Sequence, residues 1–231
     1  MNWEKYKYYY IALSVTILLV VMAVIYFIKR RNMNTSDNGI LGKEQNSVGT
    51  FKGLVEKKDT LFSLTTKKDV NLIIVIGGIN FATPKWMYSQ LNENFKNNCF
   101  IVIAPYNVNY DLLKEQIKDI TKENNYVIKK TAIIGYSAGG HLIQKKYNKA
   151  FDFVGLIDPS TAPNYLTQSF SGNVFMLYND KNWGGYPTIK KTLPLLHDKI
   201  ISSGGKSSSI AEGHSKIPLL FFNKYENELI S

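Results

Sequence analysis

The sequence predicts an open, doubly wound, mostly parallel α/β sheet with an antiparallel start, preceded by a membrane-spanning helix. Three observations lead there. From Val48 onward, strand-like and helix-like stretches alternate, the pattern of parallel strands joined by crossover helices. The central strand-like stretches, "VNLIIVIGG", "CFIVIAPY" and "TAIIGYS", are apolar at nearly every position rather than every second one. Both faces of such a sheet must be covered. Near the start, Ile11 to Ile28 run 18 residues without a charge.

As a helix that run covers roughly 27 Å at 1.5 Å per residue, close to the ~30 Å hydrocarbon core of a bilayer. Trp3, Tyr6, Tyr8, Tyr9 and Tyr10 precede it, Tyr26 and Phe27 close it, and Lys29-Arg30-Arg31 stop it. A cleaved signal peptide would have a shorter apolar region ending in small residues, so an uncleaved single span is expected. The clustered cations after the span lean towards a cytoplasmic C-terminal domain. Residues 1–31 therefore read as an anchor and polar residues 32–47 as a tether. Asn34-Thr35-Ser36 would be a glycosylation sequon only on the luminal side.

The folded part reads as residues 48–231. "GTFKGLVEKKDTLFSLTT" suggests two strands joined by a turn at Glu56 to Asp59. Strand Val70–Gly78, helix Pro84–Asn98, strand Cys99–Tyr106 and helix Tyr110–Asn125 follow. Next come strand Thr131–Ser137, helix Gly139–Ala150, strand Phe153–Asp158, a short polar connection and strand Asn173–Asn179. Helix Thr188–Gly204, strained by Pro194, strand Lys206–Gly213 and helix Pro218–Ile230 finish the chain.

Composition excludes several classes. A single cysteine, Cys99, rules out an intramolecular disulfide framework, and three scattered histidines with one thiol give no zinc spacing. No cofactor or metal is expected. Residues 1–31 carry five Lys/Arg and one Glu, which leaves +6 of the +10 net charge to residues 32–231. Those lysines come in scattered pairs without a sustained run, so solubility explains them and no nucleic-acid partner is expected. "GGKSSS" lacks the first glycine of a phosphate loop and precedes a strand, the wrong order.

In a doubly wound sheet, ligands bind beyond the C-terminal ends of the strands. That edge carries Gly77-Gly78-Ile79-Asn80, Pro105-Tyr106, Ser137, Asp158, Asn179-Asp180 and His214. Ser137 stands where a strand ends and a helix begins, flanked by Gly135 and Gly139 as Gly-x-Ser-x-Gly. This is the placement of a nucleophile elbow, with the hydroxyl above the rim at a helix N-terminus. Of the three histidines, only His214 falls on the rim in a loop. His141 and His197 lie inside helices.

"GYSAGGHL", Gly135 to Leu142, resembles the esterase and lipase version of this elbow in the α/β-hydrolase superfamily, and the resemblance covers roughly residues 48–231. It implies a Ser–His–acid triad in the chain order serine, acid, histidine, with Ser137 as nucleophile and His214 as general base. The oxyanion donors it implies are the N–H of Ala138 and that of Ile79, with Gly78 second; Gly77 stands where the family carries a histidine. Two acids fit. Asp180 follows the penultimate strand, where most members carry the acid, although Asn182 occupies the usual slot. Asp158, in "GLIDPSTAP", resembles the Asp-Pro segment of lipases whose acid sits there, and ranks slightly ahead.

From Asp158 to the next strand is only about fifteen residues, against a typical loop of ~4–6, which leaves room for a minimal cap. Tyr165 and Phe170 are expected to wall the pocket. The expected activity is a membrane-anchored serine hydrolase cleaving an ester or thioester, acyl-bearing lipids included, through an acyl-enzyme. The competing reading is a catalytically silent binding or scaffold module with the same fold.

Overall fold

The computed structural model describes residues 53–79, 82–145, 150–181, 183 and 185–231. The expected span Ile11–Ile28 and the tether 32–47 lie outside them. Among the described residues, no helix is long and apolar enough to cross a membrane.

Eight strands form one sheet: β1 (Gly53–Lys57), β2 (Thr60–Leu64), β3 (Asp69–Ile76), β4 (Cys99–Ala104), β5 (Val127–Tyr136), β6 (Phe153–Ile157), β7 (Val174–Tyr178) and β8 (Lys206–Ser209). Their spatial order is β1-β2-β4-β3-β5-β6-β7-β8. Strand β2 runs antiparallel to both neighbours, and β3 to β8 are parallel. The β1–β2 hairpin turns on Lys58 and Asp59, both at positive φ (46° and 64°). That is the two-residue turn whose twist matches paired strands.

Alternate residues of each central strand feed two separate cores. In β3, Leu72, Ile74 and Ile76 join one face, while Ile73 and Val75 join the other. The first face is covered by α3 (Tyr110–Glu123), α4 (Ala138–Lys145) and α5 (Pro187–Ser202), through Leu113, Ile120, Ile143, Leu193, Leu196 and Ile200. The second is covered by α1 (Pro84–Ser89), α2 (Glu93–Asn98), α6 (Ile217–Lys224) and α7 (Glu226–Ile230). Each fully buried large apolar side chain contributes roughly 1.5–3 kcal/mol. The unbroken apolar runs are thus two alternating sets, one for each layer.

Strand β8 ends at Ser209, four residues short of the expected Gly213, and three further elements differ clearly from their expected limits. The helix expected over Pro84–Asn98 is two helices, because Asn92 turns its side-chain oxygen onto the Asn94 and Phe95 N–H groups and caps a new start. The C-terminal helix also divides, at Tyr225 (φ −110°, ψ 20°). Strand β5 begins four residues early, since Val127 and Ile128 pair with Asp69 and Val70. Pro194 does not break α5. It lies on the exposed face, where water can serve the carbonyl it leaves without a donor. Gly204, at φ 81°, ends that helix, and Gly205 donates its N–H to Ile200 O.

The chain leaves β3 on one side to form β4, then returns on the other to form β5. The switch point therefore lies between β3 and β5, where an open α/β sheet forms its ligand crevice. Ser137 follows β5 at that point.

Candidate active site

Five non-glycine residues have positive φ among the described residues: Lys58, Asp59, Asn125, Ser137 and Asp158. The first two make the hairpin and Asn125 follows the end of α3. The other two are the serine and one of the acids singled out by sequence. Ser137 has φ 54°, a conformation that costs about 1–3 kcal/mol for a side chain like this and persists only where the surroundings enforce it.

The surroundings are tight. The Ser137 N–H donates to Ile157 O at 2.9 Å, and its carbonyl accepts from Ser160 N at 2.9 Å and His141 N at 3.3 Å. A Cβ on Gly139 would lie 2.2 Å from Ile76 O, and one on Gly135 would lie 2.5 Å from Gly139 O. Only glycine lets the strand, the turn and α4 come so close. Ser137 remains half-buried, so its hydroxyl can be reached.

Ala138 opens α4, and its N–H is one of the four a helix leaves without an internal acceptor. Gly78 lies on the β3 side of the serine; a Cβ there would stand 3.0 Å from Ser137 Cβ. Ile79 follows and is 55% exposed. Gly77 donates its N–H to Ala104 O at 2.9 Å, which ties the loop to β4. Ala138 and Gly78 thus flank Ser137 from two elements, and Ile79 follows Gly78 in the chain.

His214 leads a short 3₁₀ turn, His214–Lys216, beyond β8. Its Nδ1 lies 2.5 Å from Asp158 Oδ2, and the Asp158 side chain is fully buried. A carboxylate only accepts, so Nδ1 carries a proton, and in the neutral imidazole Nε2 then holds the lone pair. The other carboxylate oxygen, Oδ1, accepts from Asn179 N at 3.0 Å and Trp183 Nε1 at 3.1 Å. Tyr136, the residue before Ser137, stacks on the imidazole at 4.7 Å between ring centroids and donates its hydroxyl to His214 O. Burial and, less strongly, the Asp158 charge push that phenol's pKa up, so it stays a neutral donor.

Asp180 is exposed beyond the end of β7. Its charge acts with that of Asp198 on Tyr178, which packs against His197. The carboxylate bonded to His214 is therefore that of Asp158. Asn182 lies outside the described residues. The other two histidines are elsewhere. His141 Nε2 meets the Tyr165 hydroxyl at 2.9 Å, and burial followed by the Lys145 charge lowers its pKa. His197 Nδ1 meets Ser207 Oγ at 2.8 Å. Tyr165 sits in a 3₁₀ turn, Pro163–Thr167, of the β6–β7 connection. Gln144 holds that connection to α4 by accepting from Thr161 and donating to Ser160 O.

Sequence reading leaves two contributors hidden and gives a third no role. Tyr136 was hidden as a strand residue and Trp183 in an irregular stretch. Asn179 stands on the sequence-read rim beside Asp180, with no role assigned by its type alone. Its buried amide donates to Glu212 O, two residues before His214, and so braces the histidine loop. The signal available for Asn179 was its position directly after a buried strand. Among the described residues, no cluster of three His, Cys, Asp or Glu side chains could hold a metal ion.

The same architecture occurs in solved structures. An esterase from the Planctomycetes species Thermogutta terrifontis, Est2 with propionate bound, superposes at TM-score 0.53 and 12% identity, over 78% of this chain and 94% of that one. A CIB-like hydrolase from Thermoplasma acidophilum matches at TM-score 0.51 and 17% identity, over 77% and 96%. Est1E from Butyrivibrio proteoclasticus matches at 0.50 and 11%, over 77% and 97%. The chain has the α/β-hydrolase fold. No family model matches the sequence, and no curated protein matches it.

Proposed function

We propose that this protein is a serine hydrolase of esters or thioesters, held at a membrane by the span Ile11–Ile28. The observation that carries the reading is the Asp158–His214 hydrogen bond beside a serine in the left-handed conformation at a helix N-terminus. In this reading Ser137 Oγ attacks the substrate carbonyl while His214 Nε2 takes its proton. The N–H groups of Ala138 and Ile79, or of Gly78, receive the oxyanion that forms. Such a donor is worth about 10²–10³ in turnover. The imidazolium then returns its proton to the leaving oxygen or sulfur. A water molecule attacks the acyl-enzyme with His214 again as base, and Ser137 is released. Asp158 holds the tautomer and balances the imidazolium charge.

The relatives in fold support esters as the first substrates to test, and the propionate in one of them supports short acyl groups. The short β6–β7 connection agrees with a lightly covered site. Acyl transfer to an acceptor other than water would use the same residues.

A fluorophosphonate probe tests the chemistry. The folded chain should be labelled on Ser137, and Ser137→Ala should lose both the label and the hydrolysis of p-nitrophenyl acetate. A folded wild-type chain that takes no label favours the binding-module reading. The tether has its own test: alkaline carbonate should leave the full-length protein in the membrane pellet. Release into the supernatant would sink the spanning helix without touching the hydrolase.

A further inference from the structure

The two oxygens of Asp158 are held differently. Oδ2 meets His214, while Oδ1 accepts both the Asn179 N–H and the Trp183 indole N–H. Trp183 also stands edge-on to the His214 ring, with centroids 5.3 Å apart and planes at 74°. The tryptophan is 8% exposed; Tyr186, 62% exposed, meets its outer side edge-on at 5.7 Å.

We infer that Trp183 is the positioning residue of the Asp158–His214 pair. The inference rests on the serine-hydrolase reading and extends it. A backbone donor alone fixes where Oδ1 sits but lets the carboxylate turn about that contact. A second donor from another direction fixes the plane, and with it the aim of Oδ2 at Nδ1. The indole also covers the pair, so that water does not compete for the carboxylate in its low-dielectric setting. Tyr136 does the matching work on the other flank of the imidazole. The histidine is thus gripped by two rings, and Oδ1 of the acid by two donors.

Trp183→Phe keeps a ring and removes the donor. Its kcat on a short-chain p-nitrophenyl ester should fall about tenfold, the rate equivalent of one hydrogen bond to a charged group. KM should stay within about twofold, and the rate of fluorophosphonate labelling should fall in step with kcat. Wild-type kinetics would overturn the inference. So would a loss carried by KM with kcat intact, which would make Trp183 a wall of the substrate pocket. A second measurement needs no catalysis. In ¹H–¹⁵N spectra the Trp183 indole proton should resonate downfield and move upfield in Asp158→Ala, and less far in Asp158→Asn. An unmoved resonance overturns the clamp in an active enzyme and an inactive one alike. A moved resonance in a chain without esterase activity or label would remove the hydrolase reading, and the positioning role with it, while the clamp itself stands.

Discussion

His197 and Ser207 meet at 2.8 Å on one flank of the sheet, while His214 stacks on Tyr136, the residue before Ser137, at the C-terminal end of β5. Both neighbourhoods contain a serine and a histidine, yet they are built on different backbones. Ser207 lies within β8 in register with Met176, in extended conformation, and its main chain belongs to the ladder. His197 rides inside α5 against the ring of Tyr178 at 5.9 Å. Ser137 has left its strand at φ 54° and begins a helix. His214 has a fully buried carboxylate on one nitrogen and rings on two flanks. A serine beside a histidine is therefore only a hydrogen bond. What separates the two neighbourhoods is the strained elbow, the helix N-terminus and a buried acid that orients the imidazole.

The comparison breaks most sharply at the acid. Asp158→Asn should lower kcat by about four orders of magnitude with the fold intact, because the amide no longer fixes the tautomer or balances the imidazolium. Asp180→Asn should stay within about twofold of wild type in the same assay. Equal losses in the two variants would mean that the Asp158–His214 geometry does not govern the chemistry.

Next in size is the elbow. Gly139→Ala puts a methyl group against the carbonyls of Ile76 and Gly77, which are backbone and cannot swing aside. Urea denaturation should show a loss of about 3 kcal/mol or more, the upper range for overpacking, together with lost labelling of Ser137. A variant as stable and as reactive as wild type would show that the turn is not tightly enforced.

The smallest effect belongs to the other serine. Ser207→Ala removes one hydrogen bond, so stability should fall by only about 1 kcal/mol and esterase activity should not change. A marked loss of turnover would erase the contrast between the two neighbourhoods. Cys99 offers a control on the core: burial pushes its thiol up to about 12, so it should resist alkylation at neutral pH until the chain unfolds.

Much of this protein was legible in its residues. Alternating apolar segments fixed a doubly wound sheet, since burial on two faces leaves a mark on every strand position. The elbow was legible because its requirements are local: glycines where main chains touch, a serine at a strand–helix junction. His214 was legible from its place in a loop beyond the last strand. The choice between Asp158 and Asp180 was not, because both follow strands, and what separates them is which carboxylate is buried toward the loop that carries His214. Trp183 and Tyr136 were invisible for the same reason. An indole donor and a stacking phenol acquire their roles only when β5, β6, β7 and the loop after β8 converge, and no spacing in the chain encodes a meeting among four separate segments.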